Sequence, residues 1–304
     1  MTLDMLVIFI ASSIRLSIPL LFAATGEYAS ERAGIVNMSV EGMMLMGAFG
    51  GAAGSHLTGS AEMGLLIAVV AVLPVALLQA LLTNVLRANQ VVTGLGINIL
   101  VLGCTTLGYR ALFGARSREL IDGFDALSPP LLGDLPVVGP VFQQAGLAYF
   151  AVAVIALVIV VITRTGIGAA LKATGEDPHA ALISGVPVPA IRNGAVIFTG
   201  IMAGLGGAFM SLADIHTFTE GMTRGAGYLA IVAVIFGNWR IGRVIVACLL
   251  FGAATALQFQ LPALGVELPN ALLIMLPYLL AFAAVAGLAG RQTAPRGLAR
   301  PFWG

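Results

Sequence analysis

Residues 26–44, GEYASERAGIVNMSVEGMM, place Glu27, Glu31, Glu41, Arg32 and Asn37 between two apolar runs. Polar groups at membrane depth are costly and face a cavity or a partner when they occur. Asn37 and Glu41 stand four apart and share a face if the segment is helical. Gly34 and Gly42 permit turns or close backbone packing. One reading is a broken segment lining a solute path; the other is a loop whose charges sit in water.

A second polar group falls in ANQVVTGLGINIL, residues 88–100, where Asn89, Gln90, Thr93 and Asn98 enter an apolar span. An amide offers donors and acceptors together, which suits a neutral solute bearing hydroxyls or a heterocycle. The same residues can equally tie one helix to another. Asn193, Thr199, Gln258, Gln260 and Asn270 raise the same choice.

A third place is TGEDPHAALISGVPV, residues 174–188. Asp177 or Thr174 can cap a short helix over 178–184, with Pro178 at its first position. Gly185 and Pro187 would end it. The stretch is either a rigid knob for a partner or a plain interhelical loop.

Covalent chemistry finds no support. His56, His179 and His216 are widely separated, and Cys104 and Cys248 lie far apart in apolar runs, so neither a metal centre nor a disulfide is expected. No G-x-x-x-x-G-K-[ST] motif occurs, so the chain is not expected to hydrolyse ATP. A net charge of +1 argues against a nucleic-acid partner.

The elements that must position these groups are membrane helices. The 304 residues are 59% hydrophobic and 10% charged, with mean hydropathy +1.01, against about 25% charge in soluble domains. Runs long enough to span fall at 4–24, 38–57, 63–86, 90–112, 146–163, 194–213, 226–239, 243–261 and 270–289; the seventh is short enough to be a half-helix. The first run lacks a basic leader and a cleavage site and reads as a membrane helix. The expectation is an all-α, polytopic transmembrane bundle of about eight or nine spans, one broken or re-entrant, forming a single domain over 1–304. Gly200, Gly204 and Ala208, four apart, suggest close helix packing.

Arg87, the 164–192 segment, the turn with Arg240 and Arg243, and the 291–304 tail with Arg291, Arg296 and Arg300 carry the basic charge, which marks the cytoplasmic side. The 113–145 loop, with Arg116 and Arg118 against Glu119, Asp122, Asp125 and Asp134, then lies outside, expected as an irregular cap. Parity puts the N-terminus outside.

GEYASERAGIVNMSVEGMMLMGAF, NQVVTGLGINILVLG, ATGEDPHAALISGV, GMTRGAGYLAIVAVIFGNW and MLPYLL resemble the inner-membrane permeases of ABC importers that serve branched-chain amino acids, ribose-type sugars and nucleosides. The ERAGIVNMSVEGMM wording is most similar to the nucleoside permeases. The glycine–isoleucine–aspartate–leucine–serine stretch of ribose permeases is absent, and only Asn37 and the glycine match the branched-chain pattern.

The resemblance implies that residues 174–188 form the helix that couples to an ATPase, through Glu176, Asp177, Pro178, Ala180, Ala181 and Gly185. It also implies a pathway near Asn37, Glu41, Asn89, Thr93 and Asn98. The implied partners are a second related permease chain in a heterodimer, a cytoplasmic ATP-binding subunit and an extracytoplasmic substrate-binding protein, in the inner membrane of a bacterium. No cofactor is implied. A simple-sugar permease is the alternative solute class. A secondary transporter is the alternative mechanism, needing buried carboxylates for which Glu41 is the best candidate and Asp214 and Glu267 sit at outer ends.

Overall fold

The computed structural model describes residues 3–114, 119–129, 133, 139–265, 268–287 and 293–303. Arg116, Arg118, Asp134, Glu267 and Arg291 lie outside these residues, as do other parts of the 113–145 loop, the first part of the 291–304 tail and the side chain of Asn270.

The chain is a helical bundle. α1 (Leu3–Arg32), α2 (Val40–Thr58), α3 (Ala61–Ala80, extended by a π turn Leu81–Val85) and α4 (Gln90–Phe113) come first. The acidic loop adds a two-residue antiparallel pair, β1 (Ala126–Leu127) with β2 (Gln144–Ala145), and the single turn α5 (Gly139–Phe142). Then follow α6 (Gly146–Arg164), α7 (Gly166–Glu176), α8 (Pro178–Ile183), α9 (Val188–Phe209, with a π turn Met210–Asp214), α10 (Ala226–Phe236), α11 (Ile241–Ala263) and α12 (Asn270–Gly287).

Among the described residues, six helices are long and apolar enough to cross a bilayer, and two shorter apolar ones, Ala226–Phe236 and Ala271–Gly287, accompany them. Six is below the expected eight or nine, and the shortfall has a physical reason. α2 is long but rich in glycine and alanine, because it is buried between α3, α4 and α9 and needs no lipid-facing leucines. α9 is the centre of the bundle: 78% of its most apolar window is buried, against 22% to 39% for the other five. In a membrane, helix association rests on packing rather than on water exclusion. Accordingly a Cβ on Gly47 would lie 2.2 Å from the Gly204 carbonyl oxygen, and one on Gly207 1.8 Å from that of Met44. Gly200 and Gly204, read above as a packing stripe, meet Ala76 and Val72 of α3.

Within the polar 26–44 stretch the helix does break, between α1 and α2. There α1 continues to Arg32, and only residues 33–39 are irregular. The re-entrant piece is 215–225 followed by α10. It leaves the acidic end, where the Ile121 N–H donates to the His216 carbonyl, and passes the Arg110–Glu220 ion pair (2.8 Å). α10 then has 11 residues, about 16 Å of helix, roughly half of a ~30 Å hydrocarbon core.

Charge is sorted between the two ends. At one, Arg87 lies 4.4 Å over the Trp303 ring, Arg192 Nη1 donates to the Arg300 carbonyl (3.0 Å) and Arg32 faces Glu176 (3.9 Å). At the other, Ser55 donates to the Asp122 carbonyl (2.5 Å) and His56 meets Glu119 (3.5 Å).

Candidate functional site

At the basic end, α8 follows from purely local chemistry. The Asp177 carboxylate accepts from the His179 (3.1 Å) and Ala180 (3.0 Å) N–H groups, and Pro178 opens the helix. Gly185, at φ +86°, ends it in the left-handed conformation that glycine reaches without strain. Ala181 is buried against the body, whereas Ala180 is exposed and Ile183 is 88% exposed. Gly175 just before it packs so closely that a Cβ would sit 2.1 Å from the Arg32 carbonyl oxygen. The result is a capped, rigid knob with an apolar tip.

Towards the other end a cavity of about 640 Å³ opens between α1, the π turn after α9, the re-entrant segment, α10, α11 and α12. This is within the size range of small-molecule sites. Its wall is largely apolar, with Ser12, Arg15, Asp214, Thr219, Gln258 and Tyr278 among its polar groups. Arg15 and Asp214 pair across it at 3.2 Å, with Asp214 the more buried. The π turn Met210–Asp214 brings Met210 and Asp214 onto the wall, and such turns concentrate at functional positions.

The floor is the re-entrant loop, and Glu41 holds it. One carboxylate oxygen accepts from Thr223 Oγ1 (2.6 Å) and the Gly225 N–H (2.7 Å), the other from the Gly227 N–H (2.7 Å). Glu41 thus occupies the N-terminus of α10, where a carboxylate is favoured by the helix dipole. Tyr278 donates its hydroxyl hydrogen to the Arg224 carbonyl and braces the same loop from α12. Replacing Glu41 with alanine leaves the buried Gly227 amide, the half-buried Gly225 amide and the Thr223 hydroxyl without their acceptor, at up to about 1–3 kcal/mol each. The expected outcome is a lowered thermal midpoint in detergent, read by near-UV dichroism; an unchanged midpoint would contradict this role.

A match to a known family decides the class. The profile of the family "branched-chain amino acid transport system / permease component" covers residues 9–285. The chain belongs to this family. This permease is a multi-pass membrane protein. It is 32% identical over 311 residues (98% of this chain, 97% of the relative) to the guanosine ABC transporter permease protein NupQ of Bacillus subtilis. It is 30% identical over 301 residues (95% and 94%) to the nucleoside ABC transporter permease protein NupC of Lactococcus lactis subsp. cremoris. It is 38% identical over 259 residues (83% and 77%) to TsgC13 of Haloferax volcanii, provisionally named a glucose ABC transporter permease. No solved structure matches the chain significantly.

None of the sequence-derived pathway residues of the permease is in the cavity's wall. Asn37 is fully buried; its N–H donates to Glu27 (2.9 Å) and its side-chain oxygen accepts from the Ser39 hydroxyl (2.6 Å). Asn89 caps α4 by accepting from the Val91 and Val92 N–H groups. Thr93 is half-buried one turn on. Asn98 donates to the Met38 carbonyl and the Tyr228 hydroxyl and accepts from the Gly42 N–H, each at 2.8 Å, joining α4, α2 and α10. Thr199 donates to the Gly26 carbonyl, Asn193 accepts from Asn84, and Gln258 and Gln260 do line the cavity.

Arg15, Tyr278 and Ile183 were missed. Ile183 carried a readable signal, an apolar residue closing a capped helix in a basic segment. Arg15 and Tyr278 lie within apolar runs, where periodicity does not say which face meets a cavity. Glu27 and Glu31, one turn apart on α1, are both buried; Glu31 accepts from the Trp239 indole N–H (2.5 Å).

Proposed function

We propose that this permease is the membrane-spanning subunit of an ATP-driven importer of nucleosides. The basic end faces the cytoplasm of a bacterial inner membrane. There α8, with Glu176, Asp177, Pro178, Ala180, Ala181 and Gly185, seats in a groove of a separate ATP-binding subunit. An extracytoplasmic binding protein delivers solute at the acidic end, into the cavity. A second, related permease chain covers the cavity's open flank, because one bundle does not enclose a path by itself. Closure of the ATPase drives α8 and switches the bundle between outward and inward access.

The observation that carries this reading is α8, a capped helix whose apolar tip points away from the body at the basic end. Nucleosides are favoured because the names of NupQ and NupC carry them across nearly the whole chain. The cavity agrees: hydroxyls and amides suit a neutral ribosyl heterocycle, and Arg15 is already satisfied by Asp214. Glucose, named for TsgC13, is the alternative solute.

The test is uptake of labelled adenosine, guanosine, cytidine, uridine, ribose and glucose by the complete complex in proteoliposomes. Nucleoside uptake that requires internal ATP is expected, as is a loss of about tenfold or more in Asp214→Asn with the ATPase still bound. A second reading, coupling to an ion gradient, draws on buried Glu27 and Glu31. Uptake by the isolated chain under a proton gradient without ATP would establish it and remove the first.

A further inference from the structure

Residues 293–303 lie across the basic end, touching most of the elements that meet there. The Thr293 N–H donates to Asn238 Oδ1 (2.8 Å), in the turn between α10 and α11. The Gly297 N–H donates to the Gly175 carbonyl (2.8 Å), two residues ahead of the Asp177 cap. The Ala299 N–H donates to the Gly34 carbonyl (3.1 Å), just past α1. The Arg300 carbonyl accepts from Arg192 Nη1 (3.0 Å), near the start of α9. The Phe302 ring lies 5.1 Å from the His179 ring of α8 and 5.8 Å from the Arg192 guanidinium carbon. Trp303 stacks under Arg87, beyond the π turn of α3.

Two features set this apart from a tail resting on a surface. Arg192 is only 3% exposed, and among the described residues its one hydrogen bond is to the Arg300 carbonyl; its Nε and Nη2 have none. Taking away the last acceptor of a buried cation is strongly unfavourable. The contact is also backbone against backbone: a Cβ on Gly297 would come within 2.9 Å of the Gly175 carbonyl oxygen. Such a seat has little room to slide.

We propose that residues 293–303 form a transmission strap that makes α8 move as one body with the ends of α1 and α9 and with the α10–α11 turn. α8 itself is six residues long and is held to α9 through the short 184–187 connection. Without the strap, a push on α8 would reach α1 through the Gly175–Arg32 contact, with local hinging at 184–187 free to take up the rest. With it, the push reaches α10 as well as α1, both of which border the cavity. Phe302, Arg300 and Gly297 are positioning residues for coupling and touch neither solute nor nucleotide. This inference rests on the proposed docking of the ATPase at α8.

The experiment has two arms. In the isolated full-length permease in detergent, hydrogen exchange of residues 174–186 is compared between wild type, Phe302→Ala and Gly297→Val. At least tenfold faster exchange is expected in both variants, with Phe302→Tyr restoring protection; unchanged exchange overturns the strap. In the complete complex in proteoliposomes, with a mixture of the four nucleosides as probe, uptake per ATP hydrolysed is compared for the same variants and for a chain ending at Thr293. A fall of tenfold or more is expected with the ATPase still bound and hydrolysing. A wild-type ratio in Phe302→Ala and Gly297→Val overturns the proposal even if the shortened chain fails to accumulate. Absence of ATP-driven uptake by wild type, with exchange still faster in the variants, instead defeats the functional reading and leaves the clamp standing.

Discussion

Gly207→Leu is expected to prevent formation of the folded bundle. A Cβ at this position would sit 1.8 Å from the Met44 carbonyl oxygen and 2.8 Å from the Ala48 amide nitrogen, both backbone atoms of α2. No rotamer change relieves a collision with backbone, so α2 and α9 must separate. Separation also loosens the reciprocal contact at Gly47, whose own Cβ would lie 2.4 Å from the Gly204 Cα. Overpacking a core costs about 1–3 kcal/mol when side chains can move. Here the central helix is displaced, in a solvent that provides no water exclusion to pull it back, and the cost should exceed about 4 kcal/mol, the range reserved for a broken core. The measurement is the monodisperse fraction on size exclusion in detergent, which should fall to near zero. Gly103→Leu on α4 is the control, since a Cβ there meets nothing within 4 Å and the residue is exposed; it should behave as wild type. A monodisperse Gly207→Leu protein would refute the close-packed α2–α9 seam.

What the sequence revealed, and what it hid, follows from the range of the forces involved. Spans bounded by local signals were legible: 90–112 is α4 (Gln90–Phe113) and 146–163 is α6 (Gly146–Arg164). α8 was legible for the same reason, because Asp177, Pro178 and Gly185 act within a few residues of each other. α1 was not. It was expected to stop at 24, yet it continues to Arg32 because Glu27 and Glu31 find donors at Asn37 and, 208 residues away, at Trp239. Glu41 was singled out for its polarity, but its partners on the re-entrant loop lie 182 to 186 residues away. Nothing near it in the chain distinguishes a group that touches solute from one that holds a loop in place. The glycines behave similarly: their abundance implied close packing, while the three-dimensional fit alone pairs Gly207 with α2 and Gly204 with α3.

Ile183→Glu is expected to abolish ATP-driven uptake while leaving the bundle intact. The side chain is 88% exposed and makes no core contact, so the free permease should melt within a degree or two of wild type. Surface changes of this kind usually move stability by less than about 0.5 kcal/mol. Within the proposed complex the position differs. Burying an isoleucine in a partner's groove contributes about 1.5–3 kcal/mol. A carboxylate there forfeits that gain and adds the penalty of a desolvated, unpaired charge. Together these should weaken ATPase binding by about 100-fold or more, since each 1.4 kcal/mol is tenfold. Pull-down of the ATP-binding subunit and nucleoside uptake should fail together, whereas Ile183→Ala, which loses only the apolar contact, should fall by about tenfold. The neighbouring Ala181 faces inward, so Ala181→Glu should lower the melting midpoint as well. That contrast separates loss of docking from loss of folding. Wild-type uptake by Ile183→Glu would mean that the ATPase seats elsewhere on the basic end and that the α8 tip bears no load.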